Sequence, residues 1–321
     1  MKILILSCGT RNKLVRYFKE NAPLVEKVVG TDCSKYAPAL YETDAHYPVP
    51  RMTEPDYLPV ILAVCKKEGI DAVLPLQEDE LHLIATHKEL FTERGITPII
   101  SSPEAITLCR DKYAFFQHLK QNALPTLMTC KGYEDFKVCQ KKGLIDFPVF
   151  AKPERGCGSI GIQKVMNDEL LEVICKYSEE EMIIQQFADG EEFGADIYVD
   201  MLSHKPAAIF TKKKLRMRAG ETEKAVSVKD EKLFTLIEQV IDTLPLSGPI
   251  DMDIFRVGEE YYISEINPRF GGGYPHAYSC GINFPRYLAN NIAGIENPCE
   301  IGNYETGVCM LKYTDLLTIR D

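Results

Sequence analysis

The sequence predicts an α/β and α+β protein: a doubly wound parallel sheet at the N-terminus, followed by a region of β-hairpins and packed helices. Three observations carry this. From Lys2 to Ile100, apolar runs alternate with helical patterns, the rhythm of successive βα units. The glycine-rich loop Gly156 to Gly161 lies between two strand-like runs rather than opening a helix. The stretch DIFRVGEEYYISEINPRFGGG, Asp253 to Gly273, reads as one hairpin crowded with carboxylate, amide and guanidinium side chains.

Taken in order, Lys2 to Leu6 is a strand, Ser7-Cys8-Gly9-Thr10 its turn, and Leu14, Tyr17 and Phe18 one face of a helix. Val25 to Val29 is a second strand ending near Asp32, and Tyr57 to Lys67 a helix with Leu58, Ile61, Leu62 and Cys65 on one side. Ala72 to Leu76 and Ile96 to Ile100 complete the parallel set. Ser101-Ser102-Pro103-Glu104 reads as a cap and helix start, so a first domain is placed at residues 1–102 and a second at 103–321. The loop Ser7 to Asn12, with Arg11, reads either as an anion site or as a plain sheet-to-helix turn. The acidic run Gln77 to Glu80 reads either as a solvated helix N-terminus or as a substrate contact.

In the second domain Lys112 opens an amphipathic helix through Tyr113, Phe116 and Leu119. Phe147 to Lys152 is an apolar strand that ends in a lysine beside the glycine loop. Glycines let backbone N–H groups close on phosphate oxygens, and a neighbouring lysine adds fixed charge. Met182 to Phe187 and Ala195 to Val199 are further strands. The basic run Lys212-Lys213-Lys214, with Arg216 and Arg218, reads either as a solvated face or as an anion contact. Glu231 to Leu244 is an amphipathic helix, and a last helix spans Phe284 to Ala293.

In the hairpin, Gly258 supplies the freedom a tight reversal needs, and a turn at Glu259 sets Asp253 across from Glu265. Strand alternation puts Glu265, Asn267 and Ile263 on one side, with Tyr262, Ser264 and Ile266 on the other. Facing carboxylates repel, and a hard cation with oxygen ligands relieves the repulsion; Mg²⁺ with nucleotide phosphates fits best.

Composition bounds the partners. The chain has 321 residues, 45% hydrophobic and 26% charged, and a formal net charge of -10, an ordinary globular balance. That acidity argues against nucleic-acid or membrane partners and favours small metabolites. The apolar run after Met1 is too short for a signal sequence or a membrane span, so a cytoplasmic location is expected. The 11 cysteines are dispersed with no C-x-x-C pair, which reads as reduced thiols.

A lysine-ended strand with its glycine loop (Lys152, Gly156 to Gly161), an apolar strand reaching Gly-x-Glu-Phe (Gln185 to Phe193), an acidic strand (Asp253) and Glu-Ile-Asn-Pro-Arg (Glu265 to Arg269) follow one another. Together they resemble the ATP-grasp superfamily, in its branch similar to the carbamoyl-phosphate synthase large chain, and the resemblance implies a two-lobed ATP-grasp fold for the second domain. The likeness covers about residues 103–295. The N-terminal alternation resembles the preATP-grasp domain, and a lid subdomain is implied at about residues 125–187.

The resemblance implies ATP and Mg²⁺ (or Mn²⁺) as cofactors. By it, Lys112 and Lys152 look like the phosphate-holding lysines, and Gly156, Gly158, Ser159 and Gly161 like the lid over them. Gln185, Gln186 and the backbone at Phe187 would meet adenine, and Glu192 the ribose. Asp253, Glu265 and Asn267 look like metal ligands, with Arg269 and Lys152 catalytic; Asp253 stands where other members carry Glu, Asp or Gln. Arg216, Arg218, Gly272 and Gly273 are assigned to substrate, and His276 lies close enough in sequence to touch it. The implied activity is ADP-forming ligation of a small carboxylate to an amine through an acyl phosphate, by a stand-alone chain for which a homodimer is allowed. The alternative is a regulatory ATP-binding module with an unproductive site.

Overall fold

In the computed structural model, which describes residues 1–21, 23–156 and 161–319, the chain opens with a parallel sheet. Strand β1 (Lys2–Ile5) leads to helix α1 (Asn12–Glu20), then β2 (Lys27–Asp32), β3 (Ala45–Pro48), α2 (Tyr57–Glu68), β4 (Ala72–Leu74), α3 (Glu78–Thr86), α4 (Lys88–Thr92) and β5 (Thr97–Pro98). The strand order β3-β2-β1-β4-β5 reverses direction between β1 and β4, the point at which such sheets open a crevice at their carboxyl ends. The predicted strands are apolar because helices cover both faces; Ile3, Leu4 and Ile5 have no exposed surface. Strand β3, in which half-buried Ala45 and Tyr47 alternate with exposed His46 and Pro48, is an edge strand without an apolar run, and the sequence expectations do not include it.

Helix α5 (Pro103–Arg110) starts as expected: the Ser102 hydroxyl accepts the Ala105 N–H at 3.2 Å, with Pro103 in the first turn. Helix α6 (Lys112–Gln121) is capped by Asp111, which accepts the Ala114 N–H at 2.9 Å.

A four-stranded antiparallel sheet follows, built from β6 (Thr129–Lys131), β7 (Val149–Pro153), β8 (Gln163–Val165) and β9 (Met182–Gln186) in the order β6-β9-β7-β8. Helices α7 (Gly132–Lys141) and α8 (Asp168–Tyr177) cover one face, burying Phe136 and Leu171 against Val149, Val165 and Ile184. The glycine loop joins β7 to β8, so the segment is a β-hairpin; Gly158 and Ser159 lie outside the described residues.

The third sheet is antiparallel and six-stranded, in the order β14-β13-β10-β11-β12-β15. Its strands are β10 (Glu191–Val199), β11 (Pro206–Arg218), β12 (Glu221–Val228), β13 (Gly248–Val257), β14 (Glu260–Asn267) and β15 (Cys309–Leu311). Helices α9 (Glu231–Ile241), α10 (Tyr274–Ser279) and α11 (Phe284–Ile292) complete the unit. Leu233, Ile237 and Val240 of α9 are buried in one core with Ile197, Ile209 and Ile250 of the sheet. The α9 pattern is read correctly from sequence, although the helix stops at Ile241.

The first sheet and the third are joined. The Ser101 hydroxyl donates to the Ser247 carbonyl at 3.2 Å and accepts the Ser247 N–H at 3.0 Å. Tyr17 of α1 stacks on Tyr278 of α10 at 3.7 Å. Among the described residues every cysteine is free, in line with the thiol reading, and no helix is long and apolar enough to cross a membrane.

Candidate active site

The hairpin β13–β14 sets the register of the site. Gly258, at φ 60°, and Glu259 form the turn, Val257 pairs with Glu260, and Asp253 pairs with Glu265. One detail differs from simple alternation. A bulge follows the Asp253–Glu265 pair, so that Ile254 pairs with Ile263. Ile263 is therefore fully buried, whereas Ser264 lines the cleft beside Glu265 and Asn267. The extra residue reverses the expected facing of Ile263 and Ser264.

Pairing across the sheet extends this row. Gly194 of β10 sits between Lys212 of β11 and Asp253 of β13, and Asp196 pairs with Asp251, which in turn pairs with Asn267. A side chain at position 194 would meet the stems of Lys212 and Lys214 at 3.1 and 3.2 Å, so glycine there gives both lysines passage across the sheet. Lys214 donates to Glu192 at 2.8 Å and to Asp253 at 2.6 Å; Lys212 is buried against Asp196 at 2.5 Å. Burial pushes Lys214 down, but Asp253 and Glu192 outweigh it and hold the ammonium above its ordinary value.

The four-stranded sheet supplies the opposite wall. Lys152, at the end of β7, is buried and donates to the Gln185 side-chain oxygen at 2.9 Å; Gln185 in turn donates to the Thr129 hydroxyl at 3.1 Å. Burial lowers Lys152 to about 8, with the positive charge of Lys112 acting in the same direction against the attraction of Glu265 and Asp253. Lys112, at the first turn of α6, donates to the Gly156 carbonyl at 2.7 Å. Two cations thus flank the base of the glycine hairpin.

The N-terminal sheet closes the third side. Arg269 donates to Glu78 of α3 at 2.9 Å and lies 3.6 Å from Asp251. Burial alone would lower Arg269; Asp251 and Glu78 hold it above its ordinary value. Asp251 itself is raised to about 6, first by burial and then by the like charge of Asp253. The acidic run divides: Glu78 faces the cleft, Asp79 pairs with Arg110 at the surface, and Glu80 is buried under the hydroxyls of Ser7 and Tyr57.

The resulting cleft holds about 580 Å³. It gathers Lys112, Lys152, Gly156, Gln185 and Glu192 from the expected set. Asp253, Glu265, Asn267 and Arg269 line it as well, with Arg218, Gly272 and Gly273. It does not gather all of them. Gln186 points outward because β9 alternates, and Phe187 packs on Phe150, which lines the cleft in its place. Gly161 packs on Pro153. Arg216 is turned out by bulges on either side of it and pairs with Glu223 at 2.9 Å, 63% exposed. His276 is buried and hydrogen-bonded to the Val308 carbonyl at 2.9 Å, away from the cleft.

Asp251 has no place among the sequence expectations, whereas Lys214 and Arg269's partner Glu78 belong to the basic and acidic runs that read two ways, and the structure turns both to the cleft. Asp251 and Lys214 carried a signal, since Asp251-Met252-Asp253 and Lys212-Lys213-Lys214 place alternate residues on one strand face. The run Gly271 to Gly273 has a steric role: added methyl groups would meet Asp251 at 2.4 Å, Arg11 at 2.8 Å and Lys212 at 2.5 Å, so glycine lets three charges approach one backbone segment.

Residues 109–273 match the family model of the ATP-grasp domain, and residues 3–99 that of the PylC-like N-terminal domain. No curated protein matches the sequence. Among solved structures, biotin carboxylase from Campylobacter jejuni superposes with a TM-score of 0.74 at 19% identity, over 92% of this chain and 72% of that one. The biotin carboxylase domain of Hydrogenobacter thermophilus 2-oxoglutarate carboxylase, a dimer in complex with MgADP, ADP and bicarbonate, gives 0.74 at 16%, over 96% and 73%. L-amino acid ligase from Bacillus licheniformis gives 0.69 at 18%, over 91% and 75%. At these identities the likeness is one of fold.

Proposed function

As the chain belongs to the ATP-grasp family, we propose that it is an ADP-forming ligase that joins a small carboxylic acid to an amine, using ATP and a divalent cation. The observation that carries this is the convergence of Asp253, Glu265 and Asn267 in one cleft with Lys112, Lys152 and Arg269. Carboxylate and amide oxygens form a hard donor set that suits Mg²⁺ or Mn²⁺, and the cations opposite suit phosphate. When bound, the metal would neutralise phosphate charge on the nucleotide.

The protein's own groups do the rest. Lys112 and Lys152 hold the phosphates at the base of the glycine hairpin. Gln185 fixes the Lys152 ammonium by a hydrogen bond. The apolar surfaces of Phe150, Ile162 and Phe255 line the same cleft and offer a face for the base, while Glu192 supplies an oxygen for the ribose. Arg269, held by Glu78, stabilises charge on the transferred phosphoryl group. A carboxylate oxygen of the acid attacks the γ-phosphorus and ADP leaves; the amine nitrogen then attacks the acyl carbon, losing a proton, and inorganic phosphate leaves. No protein nucleophile is needed.

We place this activity in the cytoplasm, with small molecules as its partners and the homodimer as its assembly. The test is release of ADP and phosphate from MgATP in the presence of pooled acids and amines. Release that requires both pools supports the reading. Tight ATP binding with no release under any pool favours the regulatory module instead.

A further inference from the structure

Beside the nucleotide cleft lies a second chamber of about 760 Å³, walled by α1, the tips of β11 and β12, the Gly271–Pro275 segment and the chain after β15. The two spaces share the residues of a neck, among them Arg11, Glu221 and Gly272. Arg11 is the unusual member. Arg269, on the nucleotide side, is satisfied by Glu78 and the Phe270 carbonyl. Among the described residues the Arg11 guanidinium has no hydrogen-bond partner, and its ion pair, with Glu221, is long at 3.7 Å. Glu221 has a closer partner in Lys312, at 2.8 Å. Burial lowers Arg11 from its ordinary value, and Arg269 acts in the same direction. The bare backbone of Gly272 is what admits this guanidinium, since a methyl group there would sit 2.8 Å from it.

A guanidinium is a planar fork of five donors that remains charged in proteins, and a carboxylate is the anion that fills it edge-on. We propose that Arg11 is the carboxylate anchor of the second chamber, which takes an organic acid larger than bicarbonate and presents its carboxylate at the neck. The inference rests on the ligase reading and deepens it by naming the substrate class. The neck is where a carboxylate must lie to meet a phosphoryl group held beside Arg269. The chamber volume falls in the range that encloses a ligand of metabolite or drug size, roughly 300–1,000 Å³. Lys13, Arg16 and Glu42 at the chamber wall are polar groups for the body of the acid.

The test compares wild-type protein with Arg11→Gln and Arg11→Lys by saturation-transfer NMR. The probe is an equimolar mixture of L-amino acids, dipeptides and uronic acids, with their methyl esters as uncharged controls, and Mg-AMPPNP is present throughout. The Arg11 side chain makes no capping bond to α1, so both variants are expected to fold, and thermal melts check this. At least one acid should bind the wild type, its ester should not, and Arg11→Gln should bind it more than about tenfold more weakly, with partial recovery in Arg11→Lys. The inference is overturned if no acid binds the wild type, if esters bind as well as acids, or if Arg11→Gln binds them equally. Failure of Mg-AMPPNP to bind the wild type by calorimetry sinks the ligase reading and this inference with it. Nucleotide binding without Arg11-dependent acid binding sinks the inference alone.

Discussion

Lys214 of β11 reaches across β10 to place its ammonium 2.6 Å from the carboxylate of Asp253 on β13. The same ammonium lies 2.8 Å from Glu192, so one buried cation joins two acidic residues on the cleft side of the sheet. Removing it leaves two like charges side by side with no cation between them.

Lys214→Met should therefore lower stability without a metal by roughly 1–3 kcal/mol, less than for a fully buried pair because both carboxylates keep contact with solvent. Adding Mg²⁺ should recover part of the loss, since a cation returns to the carboxylates. Urea midpoints in EDTA and in Mg²⁺ measure both effects. A variant as stable as wild type in EDTA contradicts the account.

Gly271→Ala should be costly for a steric reason. Its methyl group would lie 2.4 Å from the Asp251 oxygen and 3.0 Å from the Asp251 Cβ, which cannot swing away as a side-chain tip can. Forced displacement in a packed site costs roughly 1–3 kcal/mol. Gly272→Ala meets only the ends of Arg11 and Glu221 and should cost less. Thermal melts of the two variants should fall in that order.

Much of this site was legible in the sequence, and the reasons are physical. The Asp253–Glu265 pairing follows from the turn at Gly258, because a tight turn fixes the register of its strands. The bulge at Ser264 is a backbone event without a glycine or proline to mark it, so the facing of Ile263 was misread. Bulges likewise turned Arg216 away from the cleft. Glu78 and Arg269 are 191 residues apart, and no local pattern pairs two residues at that distance. The first sheet was readable because its strands are covered on both faces; edge strand β3 lacks that apolar signature.

Glu80 should make stability depend on pH. Burial raises its carboxyl from an ordinary 4.5 to about 7, against the opposing effect of hydrogen bonds from Tyr57 and Ser7. The unfolded chain then ionises first as pH rises, so this group's contribution is fully present below about pH 4.5 and is lost by about pH 7. The loss is roughly 3 kcal/mol. In Glu80→Gln, which keeps an acceptor for both hydroxyls, the decline between pH 5 and 7 should be shallower by roughly 2 kcal/mol in urea titrations. An unchanged slope contradicts the assignment.

Glu265→Ala and Arg269→Ala should lose turnover, the first with the fold intact and the second folded but less stable, because Glu78 and Asp251 lose their cation. Glu265 faces the cleft from β14 and is only half-buried, so its removal leaves the core packing intact. Loss of a group that stabilises transferred charge costs about 10²–10³ in rate. Circular dichroism checks the fold and ADP release checks the rate; wild-type turnover by either variant is incompatible with the assigned roles.

The most direct test of the acyl-phosphate mechanism follows an oxygen atom. With an acid that supports turnover, its carboxylate is labelled with heavy oxygen and the released phosphate is analysed by mass spectrometry. The account predicts one labelled oxygen in each phosphate, because the carboxylate oxygen that attacks the γ-phosphorus leaves with it. Unlabelled phosphate, formed at the rate of product, would contradict it.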